Sequence, residues 1–226
     1  MTGKICVSIG ASSFDEMVEK ALAVGDGADL VELRIDGAGR FDVSAFIERV
    51  ERPLLFTNRA SWEGGRAGGS EDERIAPLGV AARAGAWVDI ELSSPQKSRE
   101  LVISAAAEVD SARAIVSWHD FNATPDRDFL QDILARQMAT GADIGKVVTM
   151  ATGPADVLRV LSLLPIAAEA GFPLCAFCMG EAGRISRVAT LGLGGFMTYV
   201  SAGEEEATAP GQLTLAAMRT ISEAIR

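Results

Sequence analysis

Eight short apolar or β-branched runs, at residues 4–9, 29–35, 53–59, 87–92, 114–119, 145–150, 173–179 and 195–200, alternate along the chain with stretches of helical period. The period switches from 2 within the runs to 3.6 between them, which predicts strands followed by helices. Ser13-Phe14-Asp15-Glu16 reads as a capping box that opens a helix over 14–24. Thr124-Pro125-Asp126 reads as an N-cap with proline at the first helical position. Gly141, Gly171 and Gly192 stand where helices should stop, and Pro165 should break or kink the sixth helical stretch. No low-complexity tract or change of composition divides the chain. Eight uninterrupted βα units favour a single (β/α)8 TIM barrel, α/β in class, over residues 1–226. An open doubly wound sheet usually has a glycine-rich turn after its first strand, whereas Ile9-Gly10-Ala11-Ser12-Ser13 has one glycine and no GxGxxG.

Strand parity then raises a difficulty. In Val31-Glu32-Leu33-Arg34-Ile35-Asp36 the apolar set should meet the helices, which sends Glu32, Arg34 and Asp36 into the barrel. The same rule sends Ser8, Arg59, Asp89 and Glu91 inward. Charges there are tolerable only at a wet mouth or in mutual pairs. Lys146 is the one lysine of four that falls inside an apolar strand, Gly145–Met150 by the same pattern. Such a lysine either snorkels to a carboxylate or loses its proton and serves as a nucleophile. His119, the only histidine, ends the fifth strand, on the face where these barrels carry their chemistry. Lys146 lies nearer the start of its strand, so its stem would have to climb the barrel axis to meet it.

Charge and cysteine content narrow the partners. A formal charge of −10 argues against nucleic acid and anionic membrane surfaces. No apolar run is long enough to span a membrane, and the N-terminal apolar stretch is too short for a signal peptide. Three cysteines suit a reducing cytoplasm, and Cys175 and Cys178, three apart on a strand, should point to opposite faces. With one histidine, a histidine-rich metal site is excluded, and two divergent cysteines with no second pair complete no zinc site. The acidic runs at 71–73 and 204–206 read as solvated faces.

Six segments in order, Glu32-Leu33-Arg34, Asn58 to Gly65 (NRASWEGG), Ser117 to Phe121 (SWHDF), Gly145 to Ala151 (GKVVTMA), Met179 to Arg187 (MGEAGRISR) and Thr208 to Gln212 (TAPGQ), together resemble type I 3-dehydroquinate dehydratase. The resemblance implies a (β/α)8 barrel of the shikimate pathway, without metal or cofactor, that converts 3-dehydroquinate to 3-dehydroshikimate through an imine. It makes Lys146 the Schiff-base lysine, His119 the general acid/base and Glu63 the carboxylate that orients it. Ser8, Glu32, Arg34, Arg59, Arg187, Thr208 and Gln212 fall at substrate-contacting positions, with Thr208 where many members have serine. It also implies a homodimer. The chemistry is consistent: an iminium is a better electron sink than a ketone, and imidazole can take and return the proton. Three inward arginines would form an anion site and lower the Lys146 pKa, and residues 201–212 suit a lid. A phosphosugar aldolase of the Schiff-base class would need a phosphate site after strands 7 and 8. A barrel kept only for binding would have no reason to retain both Lys146 and His119.

Overall fold

The strands close around an axis. A computed structural model describes residues 3–39 and 41–224. Its strands are β1 (Lys4–Gly10), β2 (Leu30–Arg34), β3 (Leu54–Thr57), β4 (Trp87–Glu91), β5 (Ala114–Asp120), β6 (Ile144–Met150), β7 (Leu174–Met179) and β8 (Met197–Ser201). All the ladders are parallel and run in the order β7-β6-β5-β4-β3-β2-β1-β8. The seam between β7 and β8 is drawn together where the Phe196 N–H donates to the Leu174 carbonyl at 2.8 Å. Around the sheet lie α1 (Phe14–Ala23), α2 (Val43–Arg49), α3 (Glu71–Arg83), α4 (Gln96–Ala107), α5 (Arg127–Met138), α6 (Pro154–Leu161), α7 (Leu163–Glu169), α8 (Arg184–Gly192) and α9 (Leu215–Ala224). This is the (β/α)8 barrel that the alternation predicts, with the helical layer after β6 split in two.

The split has a local cause. Pro165 is the third residue of α7, where its missing N–H has no intrahelical partner to lose, so the helix restarts at Ser162 rather than running through. Three boundary expectations need correction. Asp126, not Thr124, caps α5, accepting from the Phe129 N–H. The Thr124 hydroxyl is engaged elsewhere, with Thr149 and the Met150 carbonyl, at 2.7 and 2.8 Å. Gly192 is the last residue of α8, and the left-handed residue beyond that helix is Gly194 (φ +90°). At α1, Ser13 accepts from the Glu16 N–H as expected, but the Glu16 carboxylate reaches back to Ser12.

Strand parity sorts the side chains into two cores. Val31, Leu33 and Ile35 pack outward among the helices. There Phe14, Phe41, Phe46 and Phe56 form a cluster with centroids 5.3–6.3 Å apart. Each such aromatic contact contributes about 0.5–1.5 kcal/mol beyond area burial. Inside the barrel, Cys6, Leu30, Leu55, Ile115, Ile144, Cys175 and Met197 form the lower layers. Trp87 stacks on Phe196 at 6.1 Å to close the bottom. Cys175 belongs to this inner core and Cys178 to the outer one, so the two sulfurs diverge as parity requires. Above the apolar floor the inward positions turn polar, and the chemistry begins there.

Candidate active site

Lys146 is the third residue of β6 and sits opposite Ser117 on β5 and Cys175 on β7. His119 pairs with Val148, two residues higher, so the lysine stem climbs toward it from the layer below. The ammonium is buried. It lies 3.2 Å from Asp89 Oδ2, 3.7 Å from Glu32 Oε1 and 3.8 Å from the centre of the Tyr199 ring. Its immediate contacts are thus two carboxylates and an aromatic face, not the arginines expected around it. Glu32 is itself fixed by the Thr57 hydroxyl at 2.9 Å and by the Ser8 hydroxyl.

At the top of β5, His119 is held by one carboxylate oxygen in two ways. Glu63 Oε2 accepts from the His119 backbone N–H at 3.0 Å and lies 2.9 Å from Nδ1. The other oxygen of Glu63 accepts from the Ser93 hydroxyl, which in turn accepts from the Trp62 indole N–H at 3.0 Å. With Nδ1 turned to the carboxylate, Nε2 is left without a protein partner among the described residues. Burial, with Arg59, Lys146 and Arg34 nearby, pushes the imidazole pKa well below its ordinary value. Burial likewise pushes the Glu63 carboxyl up to about 7, against the pull of Arg59. The pair therefore favours a neutral imidazole with a proton on Nδ1 and a free lone pair on Nε2. Phe121 stacks over the ring at 6.2 Å. Gly64 (φ +75°) makes room for it, since a Cβ there would lie 2.4 Å from Phe121 Cζ.

The three inward arginines do not act alike. Arg59 is bound on both sides, to Asp89 at 3.0 Å, Glu91 at 2.8 Å and the Ser117 hydroxyl at 2.7 Å. Although burial opposes it, Asp89 and Glu91 hold its pKa above the ordinary value. Arg34 makes a fork with Asp36 at 2.8 and 2.9 Å, and Asp36 also accepts from the Arg66 N–H at 3.0 Å. Asp36 lies not on β2 but in the 3-10 turn Ile35–Gly37 that follows it. Arg187 differs. It is the fourth residue of α8 rather than part of the preceding turn, and it is 1% exposed. It donates only to the carbonyls of Tyr199 (3.4 Å) and Pro210 (3.1 Å), lies over the Phe177 ring at 4.9 Å, and leaves Nε unpartnered. Among the described residues no carboxylate pairs with it. Burial pulls its pKa down to about 10, so it still carries its charge at neutral pH.

Residues 201–212 cross the mouth in this structure. The Thr208 hydroxyl donates to Ser8 at 2.8 Å. Gln212 folds back so that its side-chain oxygen accepts from the Thr208 N–H at 2.7 Å and the Ala209 N–H at 3.3 Å. Gly211 (φ +74°) packs so closely on Gly180 that a Cβ would lie 2.4 Å from its carbonyl oxygen. Beneath this segment is a cavity of about 60 Å³ that brings together Glu32, Arg34, Arg59, Glu63, His119, Lys146, Arg187, Thr208 and Gln212. Ser8 borders it through its bonds to Glu32 and Thr208.

The fold and site thus define a (β/α)8-barrel enzyme with a buried lysine, a carboxylate-held histidine and a buried arginine free of counter-charge at one mouth. The family model for type I 3-dehydroquinase matches residues 5–226, and the chain belongs to that family. It is an enzyme of the hydro-lyase class. A 3-dehydroquinate dehydratase of Desulfotalea psychrophila is 44% identical over 219 residues, 96% of each chain. The crystal structure of the Geobacillus kaustophilus 3-dehydroquinate dehydratase superposes with a TM-score of 0.91 at 28% identity, covering 100% of this chain and 91% of that one. The type I enzyme of Clostridium difficile, solved with covalently modified comenic acid, gives 0.88 at 25% identity, covering 99% and 92%.

Several residues around the site escaped the sequence reading. Ser93 and Ser117, which orient Glu63 and Arg59, are unremarkable serines in sequence. Arg74 on α3 carries the charge chain outward, donating to Glu91 at 2.8 Å and forking onto Glu71 at 2.8 and 2.9 Å. Glu71 is therefore an ion-pair partner and not merely part of a solvated face. Tyr199 could have been found, because alternation on β8 turns Met197, Tyr199 and Ser201 inward.

Proposed function

We propose that the chain dehydrates 3-dehydroquinate to 3-dehydroshikimate through a Schiff base on Lys146, with His119 as general acid/base and Glu63 orienting it. The observation that carries this is the meeting of an amine, a neutral imidazole and an unpaired guanidinium in one cavity. The Lys146 ammonium gives one proton to solvent, and the free amine attacks the ketone carbon. The carbonyl π pair moves to oxygen, which takes the proton that the attacking nitrogen sheds; solvent returns the first proton to the carbinolamine hydroxyl, which leaves as water while the nitrogen lone pair closes the iminium. His119 Nε2 then removes a proton from the adjacent carbon, and the C–H electrons flow to nitrogen as an enamine. The enamine returns its electrons, the β-hydroxyl leaves with the proton His119 had taken, and water hydrolyses the conjugated iminium. Each residue thus ends as it began.

Arg187 is assigned the substrate carboxylate, because an ionic partner is what its buried guanidinium lacks. Ser8, Glu32, Arg34, Arg59, Thr208 and Gln212 are assigned to the ring hydroxyls and the walls of the site. The cavity of about 60 Å³ is far below the roughly 300 Å³ at which ligand pockets begin. The segment over residues 201–212 must therefore swing away for entry and product release. We assign the enzyme to the shikimate pathway, as a cytoplasmic homodimer acting on a small molecule. The test is a spectrophotometric assay for the conjugated product, with a phosphorylated ketose as control. Product from 3-dehydroquinate and no cleavage of the ketose supports the proposal; the reverse assigns the barrel to aldol cleavage.

A further inference from the structure

We propose that Tyr199 is a further catalytic residue, whose aromatic face carries the positive charge on the Lys146 nitrogen after that nitrogen has been built into the iminium. This rests on the Schiff-base reading above. The Lys146 nitrogen lies 3.8 Å from the ring centre, inside the range for a cation–π contact, and both residues are buried. The counting of N–H groups gives the ring its importance. A lysine ammonium has three N–H donors, and here it approaches Asp89 at 3.2 Å and Glu32 at 3.7 Å. The iminium keeps the charge but retains a single N–H, so it can direct a hydrogen bond to only one of the two carboxylates. A π face needs no N–H, and a planar iminium can lie against it. The carboxylates keep their charge but can share only that single N–H, whereas the ring contact loses no hydrogen bond when the nitrogen's three N–H groups fall to one. It favours the cationic iminium over the neutral carbinolamine that precedes it.

The hydroxyl plays no part in this. Tyr199 Oη is buried with no hydrogen-bond partner among the described residues, and Phe177 packs against the ring at 5.9 Å. The face, not the phenol, is what the site uses.

The experiment measures the rate of borohydride inactivation at saturating 3-dehydroquinate, which follows the fraction of enzyme present as iminium. Tyr199 is replaced by Phe, by trifluorophenylalanine and by Leu. Fluorines withdraw the π charge at nearly constant shape, so a ring needed only for packing would not respond to them. The Phe variant should retain the wild-type trapping rate. The trifluoro variant and Tyr199→Leu should lose about 10- to 30-fold, matching a desolvated cation–π contact. If Leu fails to fold, Phe against trifluorophenylalanine still decides. Equal trapping by these two overturns the inference while leaving the Schiff base standing. No trapping in the wild type overturns both.

Discussion

Glu63→Gln isolates the support given to His119. The substitution keeps the shape and removes the charge. The same Glu63 oxygen accepts both the His119 backbone N–H at 3.0 Å and the Nδ1 side at 2.9 Å, so the amide oxygen of Gln should take that position. The amide NH2 then faces Ser93, whose hydroxyl can turn to accept. The histidine tautomer is therefore preserved, and what is lost is the charge opposite the imidazolium that forms when His119 takes the substrate proton. A hydrogen bond to a charged group contributes about 1.5–3 kcal/mol, which predicts a fall in kcat of about 10- to 150-fold. KM should change little, because Glu63 is turned toward His119 and Ser93. The pH profile provides a second readout. Proton abstraction needs the carboxylate ionised, and burial holds it at about 7, so wild-type kcat should rise with pH through that value. The limb belongs to the Glu63–His119 pair, and Gln should remove or displace it. Stability follows the opposite course. Because the folded pKa is raised from 4.5 to about 7, the stability linked to protonated Glu63 is present at acid pH and lost as pH rises through the folded value. The Tm of Glu63→Gln should accordingly fall less across this window than the wild type's. A variant with kcat within about threefold of wild type and an unchanged acid limb would refute the reasoning.

Two further substitutions separate binding from proton transfer. His119→Ala should lower kcat by about 10²–10⁴, the usual range for a lost general acid/base, while borohydride still traps an adduct on Lys146; wild-type turnover would remove the imidazole from the mechanism. Arg187→Lys keeps the charge but loses the planar fork, so substrate binding should weaken by about 1.5–3 kcal/mol with the adduct still forming at high substrate; an unchanged Michaelis constant would sink Arg187 as the carboxylate anchor.

The barrel was legible because its signals are local. Parity in Val31–Ile35 separated the outer core from the inward charges, and the structure keeps that division. Pro165 announced a break in the helical layer, and the chain restarts there as a second helix. The resemblance supplied positions that converge in one cavity, but it could not supply their pairing. Three inward arginines look equivalent in sequence, yet Arg59 and Arg34 are neutralised by carboxylates from neighbouring strands and turns, which leaves Arg187 alone. Pairing of that kind depends on side-chain reach across the barrel, as does the contact between Lys146 and Tyr199, 53 positions apart in the sequence. Thr124 failed as a cap for the same reason. A tertiary partner, Thr149, claims its hydroxyl and leaves Asp126 to start the helix.

Every step of the proposed reaction depends on a covalent bond between Lys146 and the substrate. Wild-type protein is incubated with 3-dehydroquinate, reduced with borohydride, digested and examined by mass spectrometry beside Lys146→Ala. The prediction is a reduced adduct on the Lys146 peptide in the wild type, with no adduct and no turnover in a Lys146→Ala protein that is still folded. Turnover of more than a few per cent in Lys146→Ala, or an adduct on Lys4, Lys20 or Lys97 instead, would contradict it.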